Sequence, residues 1–498
     1  MNKLLIANRG EIAIRIMRTA SRMGITTVAI KTALEPAAPY LATATEIYDN
    51  TAFTTAVPVF LDVDRIIAIA QEVGADAIHP GYGYLSESAY FAQKCIDQNI
   101  TFVGPAPDAI YKMGNKTIAK RIARKIGIPM VDGSEGNISD ADQAIKIAEK
   151  IGYPVIIKAA SGGGGRGMRI VRKPEDMERN FNVASNESRK AFNDPSVFIE
   201  KYIENPKHIE IQVLGDTHGN VVHLGERECS IQRKSQKLLE EAPSSALDAK
   251  LREEIAGAAV ELAKAVKYFS AGTVEFLLDA DKKFYFMEMN TRIQVEHPVT
   301  ETVTGIDLVE QQIKVARGEK LAFKQSDIKM KGWAIECRIN SEDVQSGFVP
   351  STGRIEKLEY PSSKHVRIDS GVTEGTTITT GFDSMIFKLI VSGENRKDAI
   401  ENCKKALDEL WITGIKTTLP FFRMLLRNED FVKGNFSTSF VENKLDNFVL
   451  ADKNEEALAA WIATKLFFEE HFSDDSNLDY EKGKDLGPWL LNRRIGQF

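Results

Sequence analysis

Between residues 286 and 297, polar and apolar residues alternate, and the polar ones are of the types needed for metal and phosphate chemistry. Apolar residues occupy positions 287, 289, 293 and 295. Because alternate side chains of an extended chain share a face, one face would carry two carboxylates, two amides and an arginine. The polar residues are Glu288, Asn290, Arg292, Gln294 and Glu296. A half-buried surface strand would alternate in the same way, so the pattern alone leaves both interpretations open.

This polar face has the composition of a site for a divalent cation and an oxyanion. Carboxylate and amide oxygens suit Mg²⁺, which takes a few protein ligands together with phosphate oxygens. A preceding predicted strand, residues 272–278, offers a third oxygen ligand in Glu275. Arg292 could hold an oxyanion through two parallel hydrogen bonds, and Glu296 could act as a general base.

Four consecutive glycines, residues 162–165, lie between two predicted strands at 154–158 and 168–171. Their backbone N–H groups can approach phosphate oxygens without interference from a Cβ atom, and Lys158 and Arg166 would add positive charge. The segment is not a P-loop, because GxxxxGK[ST] is absent and the glycines lead into a strand. It is either a mobile hairpin that covers phosphates and excludes water or a plain flexible hairpin.

Polar residues on other predicted strands have roles that the pattern leaves open. Residues 208–213 alternate so that His208 and Glu210 share a face, and residues 229–237 are dense in hydrogen-bond donors. A lone histidine on a strand is more often a structural hydrogen-bonding residue than a ligand. A lone arginine such as Arg338 is more often solvated.

The elements that must position these residues begin with a βαβ pattern. Residues 4–7 and 27–30 are predicted strands, and residues 11–23 repeat apolar side chains at helical spacing before Gly24. This pattern predicts a parallel sheet with helices on both faces and ligands at the carboxyl ends of its strands. The first turn lacks GxGxxG, so no dinucleotide-binding motif is predicted.

The rest of the chain alternates between strand-rich and helical segments. A predicted helix at 140–152 precedes the glycine segment, and a strand at 197–201 follows it. The region after residue 203 is rich in strands and has predicted helices at 249–266 and 398–410. After residue 450 the composition changes, and residues 455–468 are a candidate amphipathic helix.

Composition disfavours several classes of protein. The 498 residues predict about three domains, and the net charge of −6 argues against a nucleic-acid partner. No segment approaches the ~20 apolar residues of a membrane span, and the short apolar start does not resemble a signal peptide. The cysteines are far apart, which suggests reduced thiols and a cytoplasmic enzyme. They are Cys95, Cys229, Cys337 and Cys403.

Nine segments, in a consistent order, make the chain resemble the biotin carboxylases, which are members of the ATP-grasp superfamily. They cover about residues 1–446, and the string MNTRIQVEHPVTE is highly specific to this family. The segments are ANRGEIAIR at 7–15, HPGYGYLSE at 79–87, MGNKTIAK at 113–120, KAASGGGGRGMR at 158–169, FIEKYI at 198–203, HIEIQVLGD at 208–216, ECSIQRKSQKLLEEAP at 228–243, MEMNTRIQVEHPVTE at 287–301 and AIECRIN at 334–340.

The resemblance implies roles for particular residues of this chain. Lys237, Arg292, Gln294 and Val295 would form the bicarbonate site. Glu296 would deprotonate bicarbonate, and Arg338 would stabilise the enolate-like ureido oxygen of biotin. The metal ligands for Mg²⁺ or Mn²⁺, with two ions expected, would be Glu275, Glu288 and Asn290. The residues expected to bind ATP are Lys116, Lys158, Gly164, Gly165, Glu200, Lys201, Tyr202, Ile203, His208 and Gln232.

The implied fold is α/β, or α+β overall. We expect an N-terminal Rossmann-like parallel-sheet domain at residues 1–112 and an ATP-grasp linker with a glycine-loop lid at 113–203. Residues 204–448 would form the ATP-grasp large domain and the carboxylase C-terminal domain, with a C-terminal extension at 449–498.

The implied reaction starts with attack of bicarbonate on the γ-phosphate of ATP, giving ADP and carboxyphosphate. Carboxyphosphate decomposes to CO₂ and phosphate, the phosphate takes the proton of the biotin ring nitrogen, and that nitrogen captures CO₂. A closing glycine lid would protect the short-lived carboxyphosphate from water.

The chain carries neither a biotin-bearing Met-Lys-Met hairpin nor a long carboxyltransferase region. We therefore expect one subunit of a split acetyl-CoA, propionyl-CoA or pyruvate carboxylase, with biotin on a separate biotin carboxyl carrier protein and a separate carboxyltransferase subunit. The resemblance also implies a homodimer, with Arg15 and Arg18 near the subunit contact. Three features depart from the family pattern: Ser235 replaces a usual histidine, Phe387 replaces a small residue, and residues 31–50 match poorly.

Two other functions remain open. Another ATP-grasp ligase, joining a carboxylate to an amine through an acylphosphate, would share Glu275, Glu288 and Asn290. A non-catalytic scaffold could keep the fold and bind nucleotide or carrier. The segment after residue 450 is either a docking element for a partner subunit or a helix that caps the chain's own core. Its apolar face would carry Leu458, Trp461, Ile462 and Leu466.

Overall fold

Two large β-sheets and a small one carry the residues singled out by the sequence. The computed structural model describes residues 1–53, 57–134, 136–138, 140–159, 168–192, 194–444 and 460–467. Contacts divide the chain into two units, Met1–Asp446 and Asn447–Phe498, and all three sheets belong to the first unit.

A parallel sheet forms at the N-terminus, as the βαβ pattern predicts. Its elements and the two helices that follow are β1 (Lys3–Ile6), α1 (Gly10–Arg22), β2 (Thr26–Lys31), α2 (Pro39–Thr43), β3 (Glu46–Asp49), α3 (Val63–Glu72), β4 (Ala77–His79), α4 (Ala89–Asp97), β5 (Thr101–Phe102), α5 (Pro107–Gly114) and α6 (Lys116–Lys125). The strand order is β3-β2-β1-β4-β5, and every neighbouring pair is parallel. The HPGYGYLSE segment therefore follows β4 at the carboxyl edge of the sheet.

A small antiparallel sheet follows, with strand order β7-β6-β8. Its elements are α7 (Ala141–Ile151), β6 (Val155–Ala159), β7 (Arg169–Val171), α8 (Met177–Phe192) and β8 (Val197–Lys201). The predicted strands on both sides of the glycine segment are thus confirmed. The segment itself, with Gly164, Gly165 and Arg166, lies outside the described residues.

The largest sheet is antiparallel, with its eight strands in the order β13-β12-β9-β10-β11-β14-β21-β19. The elements of this part of the chain are β9 (Lys207–Gly215), β10 (Val221–Arg233), β11 (Gln236–Ala242), α9 (Ala249–Ala265), β12 (Ser270–Leu278), β13 (Phe284–Asn290), α10 (His297–Thr304), α11 (Leu308–Ala316), β14 (Trp333–Asn340), β15 (Glu342–Asp343), β16 (Val349–Pro350), β17 (Gly353–Arg354), β18 (Lys357–Glu359), β19 (Val366–Ser370), β20 (Thr377–Ile378), β21 (Met385–Gly393), α12 (Arg396–Glu409), β22 (Trp411–Thr413), α13 (Leu419–Leu425), α14 (Glu429–Val432) and α15 (Phe440–Lys444).

Strand β9 lies in the interior of this sheet and is buried on both faces. Its apolar face, with Ile209, Ile211 and Val213, packs into one cluster with apolar side chains of α9, among them Ile255 and Leu262. The opposite face carries His208, Glu210 and Gln212, all of which are buried. A buried polar face must find hydrogen-bonding partners inside the protein, and these partners form the candidate site.

Helix α1 connects the two large sheets. Its apolar residues Ile12 and Ile16 share a core cluster with Leu4 of β1 and with Leu308 and Ile313 of α11. This packing fixes the N-terminal sheet against α11, which follows the polar segment 288–296. Residues near β1 and β4 can therefore reach the candidate site on the large sheet.

The predicted C-terminal helix is described only in part. Residues 460–467 are helical, and Trp461, Ile462 and Leu466 are exposed, whereas Leu458 and the rest of the extension lie outside the described residues. Among the described residues, no helix is long and apolar enough to span a bilayer. All four cysteines are buried and free.

Gly215, at the end of β9, provides a test of the close packing around that strand. A Cβ atom there would overlap the backbone carbonyl oxygen of Tyr268, and a main-chain atom cannot move away as a side chain can. We therefore expect Gly215→Ala to lower the free energy of unfolding by about 1–3 kcal/mol, measured by urea denaturation.

Gly257→Ala, in the middle of α9, is the matched control because no heavy atom lies within 4 Å of the added Cβ. Alanine is the better helix former by about 1 kcal/mol, so this variant should be neutral or stabilised. Equal stability of the two variants would contradict the close packing at β9.

Candidate active site

The polar residues between 288 and 296 converge in space, although they do not lie on one extended strand. Strand β13 ends at Asn290, and Glu296 is the N-cap residue of α10, with α-like rather than extended backbone angles. The prediction of a single extended face is therefore wrong beyond Asn290. A turn replaces it, because the N–H of His297 donates to the carbonyl of Gln294 at 3.3 Å and its ring Nδ1 contacts the same oxygen at 2.7 Å.

The turn returns the last two polar side chains to the face of the large sheet. Gln294 Nε2 donates to Glu275 Oε1 at 2.9 Å, and Glu296 Oε1 accepts from Lys237 Nζ at 2.7 Å. Gln294 and Glu296 therefore lie close to the sheet residues, as predicted. A loop brings them there, and alternation along a strand does not predict a loop.

Four residues form a row across four neighbouring strands. Glu288 of β13 is opposite Glu275 of β12, Glu275 is opposite Glu210 of β9, and Glu210 is opposite Arg227 of β10. Residues directly opposite each other lie on the same face, and like charges in such positions repel. Three carboxylates in one row therefore require cations around them.

Lys237 of β11 supplies one of these cations. Its Nζ atom is bonded to Glu210, lies 2.7 Å from Glu296 and lies 3.2 Å from Glu275. Burial disfavours the charged ammonium, but attraction by these three carboxylates outweighs it and raises the pKa of Lys237 well above its usual value. Lys237 is therefore a permanent cation at the centre of the site.

Arg227 supplies the second cation at the other end of the row and is fully buried. Its guanidinium donates to Glu210 Oε2 at 3.1 Å, Gln212 Oε1 at 2.7 Å and Gln294 Oε1 at 2.6 Å. Burial, followed by the charges of neighbouring carboxylates, nevertheless raises the pKa of Glu210 to about 7. Sequence reasoning missed Arg227, although three charged residues in succession within a long strand could have identified it.

Glu296 is ionised although it is buried. Burial favours the protonated acid, but Lys237, Arg338 and Arg227 outweigh that effect and hold the pKa of Glu296 well below its usual value. Arg338 NH2 donates to Glu296 Oε2 at 2.8 Å, so Lys237 and Arg338 each bind one oxygen of this carboxylate. Arg338 also donates through Nε to Glu240 at 2.6 Å and is therefore not a solvated arginine.

The three predicted metal ligands lie at one end of the row. Glu275 and Glu288 are opposite each other, and Asn290 Nδ2 donates to Glu275 Oε1 at 2.7 Å. Burial, and then the charge of Glu275, raise the pKa of Glu288, and Lys116 Nζ is 3.9 Å from its carboxylate. Two facing carboxylates with an amide side chain beside them are groups of the type that Mg²⁺ binds, although in this arrangement the amide oxygen accepts from Arg292.

A second group of metal-compatible atoms overlaps this set. His208, Glu210 and Glu275 have ligand atoms within 4.8 Å of one another. In this arrangement His208 Nε2 is 3.0 Å from Glu275 Oε2, and burial of the ring is outweighed by Glu275, so the pKa of His208 is raised. Glu275 belongs to both groups, so the two sets overlap rather than forming separate sites. Glu275, Glu288 and Asn290 remain the predicted metal ligands.

Arg292 connects the site to the N-terminal sheet. Its Nε donates to Glu87 at 3.0 Å, and its NH2 donates to Asn290 Oδ1 at 3.1 Å. The backbone N–H of Thr291 also donates to Glu87 at 3.0 Å. Glu87 ends the HPGYGYLSE segment, and no local sequence pattern indicated its partner more than two hundred residues away.

Two of the residues expected to bind nucleotide, Lys158 and Glu200, form an ion pair on the small sheet. Lys158 Nζ is 2.7 Å from Glu200, and Lys120 is bonded to its other oxygen. Burial alone would raise the pKa of Glu200, but the two lysines lower it to about 2. Lys120 belongs to the MGNKTIAK segment but was not among the expected nucleotide contacts.

The other expected nucleotide residues have varied surroundings. Lys201 Nζ donates to the carbonyls of Gly152 and Tyr153 at 2.9 and 3.0 Å, so its side chain is engaged with the backbone. Tyr202 and Ile203 are half-buried just after β8. Gln232 is buried and pairs with Lys237 across β10 and β11.

Two of the departures from the family pattern lie away from the charged row. Ser235 is exposed in the turn between β10 and β11 and has a positive φ of 64°. Phe387 is fully buried and packs edge-on against Tyr360, with ring centroids 5.3 Å apart.

Family models match most of the chain in three consecutive stretches. The biotin carboxylase N-terminal domain matches residues 1–110, and the ATP-binding domain of the carbamoyl-phosphate synthase L chain matches residues 115–324. The biotin carboxylase C-terminal domain matches residues 336–443.

Curated relatives are similar over nearly their whole length. Biotin carboxylase 1 of Bacillus subtilis is 51% identical over 443 residues, covering 89% of this chain and 98% of the relative. The 2-oxoglutarate carboxylase small subunit of Hydrogenobacter thermophilus is 46% identical, covering 93% of this chain and 98% of the relative.

A solved structure confirms the predicted fold class. The biotin carboxylase domain dimer of the Hydrogenobacter thermophilus 2-oxoglutarate carboxylase, in complex with MgADP, ADP and bicarbonate, superposes with a TM-score of 0.87 at 47% identity. The match covers 91% of this chain and 99% of that chain.

The lysines around Glu200 give a pH-dependent prediction. The folded pKa of about 2 lies below the ordinary value of 4.5, so the ion pairs stabilise the fold above pH 4.5 and lose that effect as the pH falls towards 2. We expect Glu200→Gln to lower the free energy of unfolding by roughly 3 kcal/mol at pH 7. The deficit relative to the unmodified chain should shrink in acid.

Urea denaturation of both chains between pH 7 and pH 3 would measure this difference. The control is Glu204→Gln, since Glu204 pairs with Arg172 on the exposed surface and should change stability by no more than about 0.5 kcal/mol at any pH. A deficit for Glu200→Gln that does not vary with pH would contradict the ion-pair assignment.

Proposed function

The chain belongs to the biotin carboxylase family and carboxylates biotin with bicarbonate and ATP, and we propose that the charged row around Lys237 is its catalytic site. One observation above all supports this location. A partly buried ammonium and a partly buried guanidinium each lie within hydrogen-bonding distance of one ionised carboxylate, beside a pair of facing acidic residues. Such a cluster can bind an anion, neutralise a phosphate and accept a proton.

Lys237 and Arg292 would bind bicarbonate together with Gln294 and the backbone at Val295. Transfer of a phosphoryl group needs positioning and neutralisation of charge more than covalent help. Buried cations supply both, because a low-dielectric environment strengthens their attraction for an oxyanion. Both cations already bind protein carboxylates here, Lys237 to Glu296 and Arg292 to Glu87. Bicarbonate would replace a protein carboxylate as the partner of each cation.

Glu296 would be the base that deprotonates bicarbonate. Its two oxygens are bonded to Lys237 and Arg338, and these contacts make it a weak base in this arrangement. When bicarbonate and the ureido oxygen of biotin engage the two cations, they compete with Glu296 for them. The carboxylate then becomes more basic at the moment when its proton acceptor role is required.

Arg338 would stabilise the enolate-like ureido oxygen of biotin. Its guanidinium is held between Glu240 and Glu296, and a planar guanidinium fixed on two sides presents its remaining N–H groups in one direction. The proton of the biotin ring nitrogen would pass to phosphate, which is released when carboxyphosphate decomposes.

Glu275, Glu288 and Asn290 would hold Mg²⁺ or Mn²⁺ against the phosphates of ATP. A bound divalent cation neutralises phosphate charge and orients the γ-phosphate for attack. The chain's contribution is to place the two carboxylates opposite each other on β12 and β13. Lys116, Lys158 and His208, with the glycine segment, would bind the nucleotide.

The two other functions considered from the sequence are not supported. This chain is similar to a biotin carboxylase over 98% of that enzyme's length. A different carboxylate–amine ligase would not require such extensive similarity. A non-catalytic scaffold would not need the intact row of carboxylates, Lys237 and Arg338.

The partners follow from the same family. A biotin carboxyl carrier protein would deliver biotin to Arg338, and a carboxyltransferase subunit would use the carboxybiotin. The similarity to the small subunit of a 2-oxoglutarate carboxylase supports a role as one subunit of a split enzyme. The dimeric biotin carboxylase domain of that enzyme supports a homodimer, with Arg15 and Arg18 near the contact. A cytoplasmic location is part of the same proposal.

The direct test is formation of ADP from ATP, Mg²⁺ and bicarbonate with free biotin. ADP formation that ignores both bicarbonate and biotin would contradict the function. Glu296→Ala should slow turnover by roughly 10²–10⁴-fold, the usual contribution of a positioned base.

Glu261→Ala is the matched control for Glu296→Ala, because Glu261 is exposed on α9 and should retain normal turnover. Turnover of Glu296→Ala near that of the control would remove Glu296 from the role of base.

Removing one metal ligand should change the metal requirement. Glu288→Gln retains the shape of the side chain but removes one of two facing charges, so the Mg²⁺ concentration for half-maximal ADP formation should rise by roughly tenfold or more. Titration with Mg²⁺ at saturating ATP measures this shift, with Glu261→Gln as the control. An unchanged Mg²⁺ requirement would exclude Glu288 as a ligand.

A further inference from the structure

Lys388, on β21, is a fully buried lysine with no role in the reaction described above. Its Nζ atom donates to the backbone carbonyl of Val295 at 2.8 Å and lies 3.0 Å from a carboxylate oxygen of Glu11. Burying an ammonium costs free energy unless it is paired and hydrogen-bonded. These two contacts, to a loop carbonyl and to a carboxylate, are therefore what retain it in the interior.

The register of the large sheet places Lys388 beside Arg338. The two residues are opposite each other on β21 and β14 and therefore point to the same face. Arg338 binds the side chain of Glu296, and Lys388 binds the carbonyl of the residue just before it. Two adjacent strands thus hold two successive residues of the same loop with two cations.

The carbonyl of Gln294, one residue earlier in the loop, is also fixed. The ring Nδ1 of His297 lies 2.7 Å from the carbonyl oxygen of Gln294, and burial holds the pKa of that ring well below its usual value. A neutral ring can donate through Nδ1 to this carbonyl. The carbonyls of Gln294 and Val295 are therefore both held by buried side chains.

Glu11 ties this arrangement to the N-terminal sheet. It is the second residue of α1 and is buried, and it accepts a hydrogen bond from Tyr82 of the HPGYGYLSE segment. Asp369 of β19 is opposite Lys388 on its other side, but Arg367 binds that carboxylate. Glu11 is thus the counter-ion that faces Lys388 directly.

We propose that Lys388, with Glu11 as its counter-ion, is a positioning residue that fixes the peptide between Val295 and Glu296 for bicarbonate binding. This inference rests on the proposed function of the loop. A peptide unit is planar, so holding its carbonyl also fixes the direction of the Glu296 N–H and the path of the chain into α10. Catalytic groups displaced by 1 Å can lose roughly 10² in rate.

The test compares Lys388→Met with Lys405→Met, which removes the same charge from an exposed position on α12. A hydrogen bond from a charged donor is lost only in the first variant. We expect the KM for bicarbonate to rise by roughly tenfold or more, with the KM for ATP within about threefold of the control. ADP formation at varied bicarbonate and varied ATP measures both constants.

Two outcomes would overturn the inference. One is a bicarbonate KM for Lys388→Met equal to that of the control. The other is a fall in turnover with both KM values unchanged, which is the result expected if Lys388 only stabilises the fold. An unmodified chain that forms no ADP in response to bicarbonate would instead contradict the proposed function itself.

Lys388→Met leaves Glu11 buried without its counter-ion and can prevent folding. The double variant Glu11→Gln with Lys388→Met removes both charges and the unpaired carboxylate. If the single variant does not fold, the double variant should fold and still show the raised KM for bicarbonate. A normal bicarbonate KM in the double variant would show that the loop does not need Lys388.

Discussion

The attraction between the Lys237 ammonium and three buried carboxylates is the interaction on which the site depends. Glu210, Glu275 and Glu296 come from β9, β12 and the loop before α10, and each is buried. Without a cation among them, their mutual repulsion in a low-dielectric interior would oppose folding. With the cation, the cluster is stable, and in the proposed function bicarbonate would replace one of the protein carboxylates. The same charges would then serve both stability and binding.

The large sheet converts that electrostatic requirement into geometry. Register places Glu288, Glu275, Glu210 and Arg227 side by side on four strands, and the strands beyond β10 add Lys237, Arg338 and Lys388. Except for Glu288 on the edge strand β13, each of these charged side chains therefore stands on a hydrogen-bonded strand with neighbours on both sides. Functional groups on such elements are held more accurately than groups on loops, which suits a reaction that depends on positioning.

The N-terminal sheet completes the site through two long-range contacts. Glu87 holds Arg292, and Glu11 faces Lys388, so the loop from Thr291 to Glu296 is held from both sheets. Motion of the N-terminal sheet relative to the large sheet would alter these pairs. The ANRGEIAIR and HPGYGYLSE segments thus contact the proposed site, although none of their residues is assigned to the chemistry.

The sequence by itself determined the βαβ start, the strands around the glycine segment and the family, and it supplied nearly all the candidates for the reacting groups. Residue type and local spacing carry that information, as in the polar series from Glu288 to Glu296. Only the tertiary structure decided that this series turns at residue 291, that Arg227 and Glu87 are partners of the site, and that Lys388 binds the Val295 carbonyl. Those contacts join residues far apart in the chain. They depend on sheet register and on the balance of buried charge, which no local pattern records.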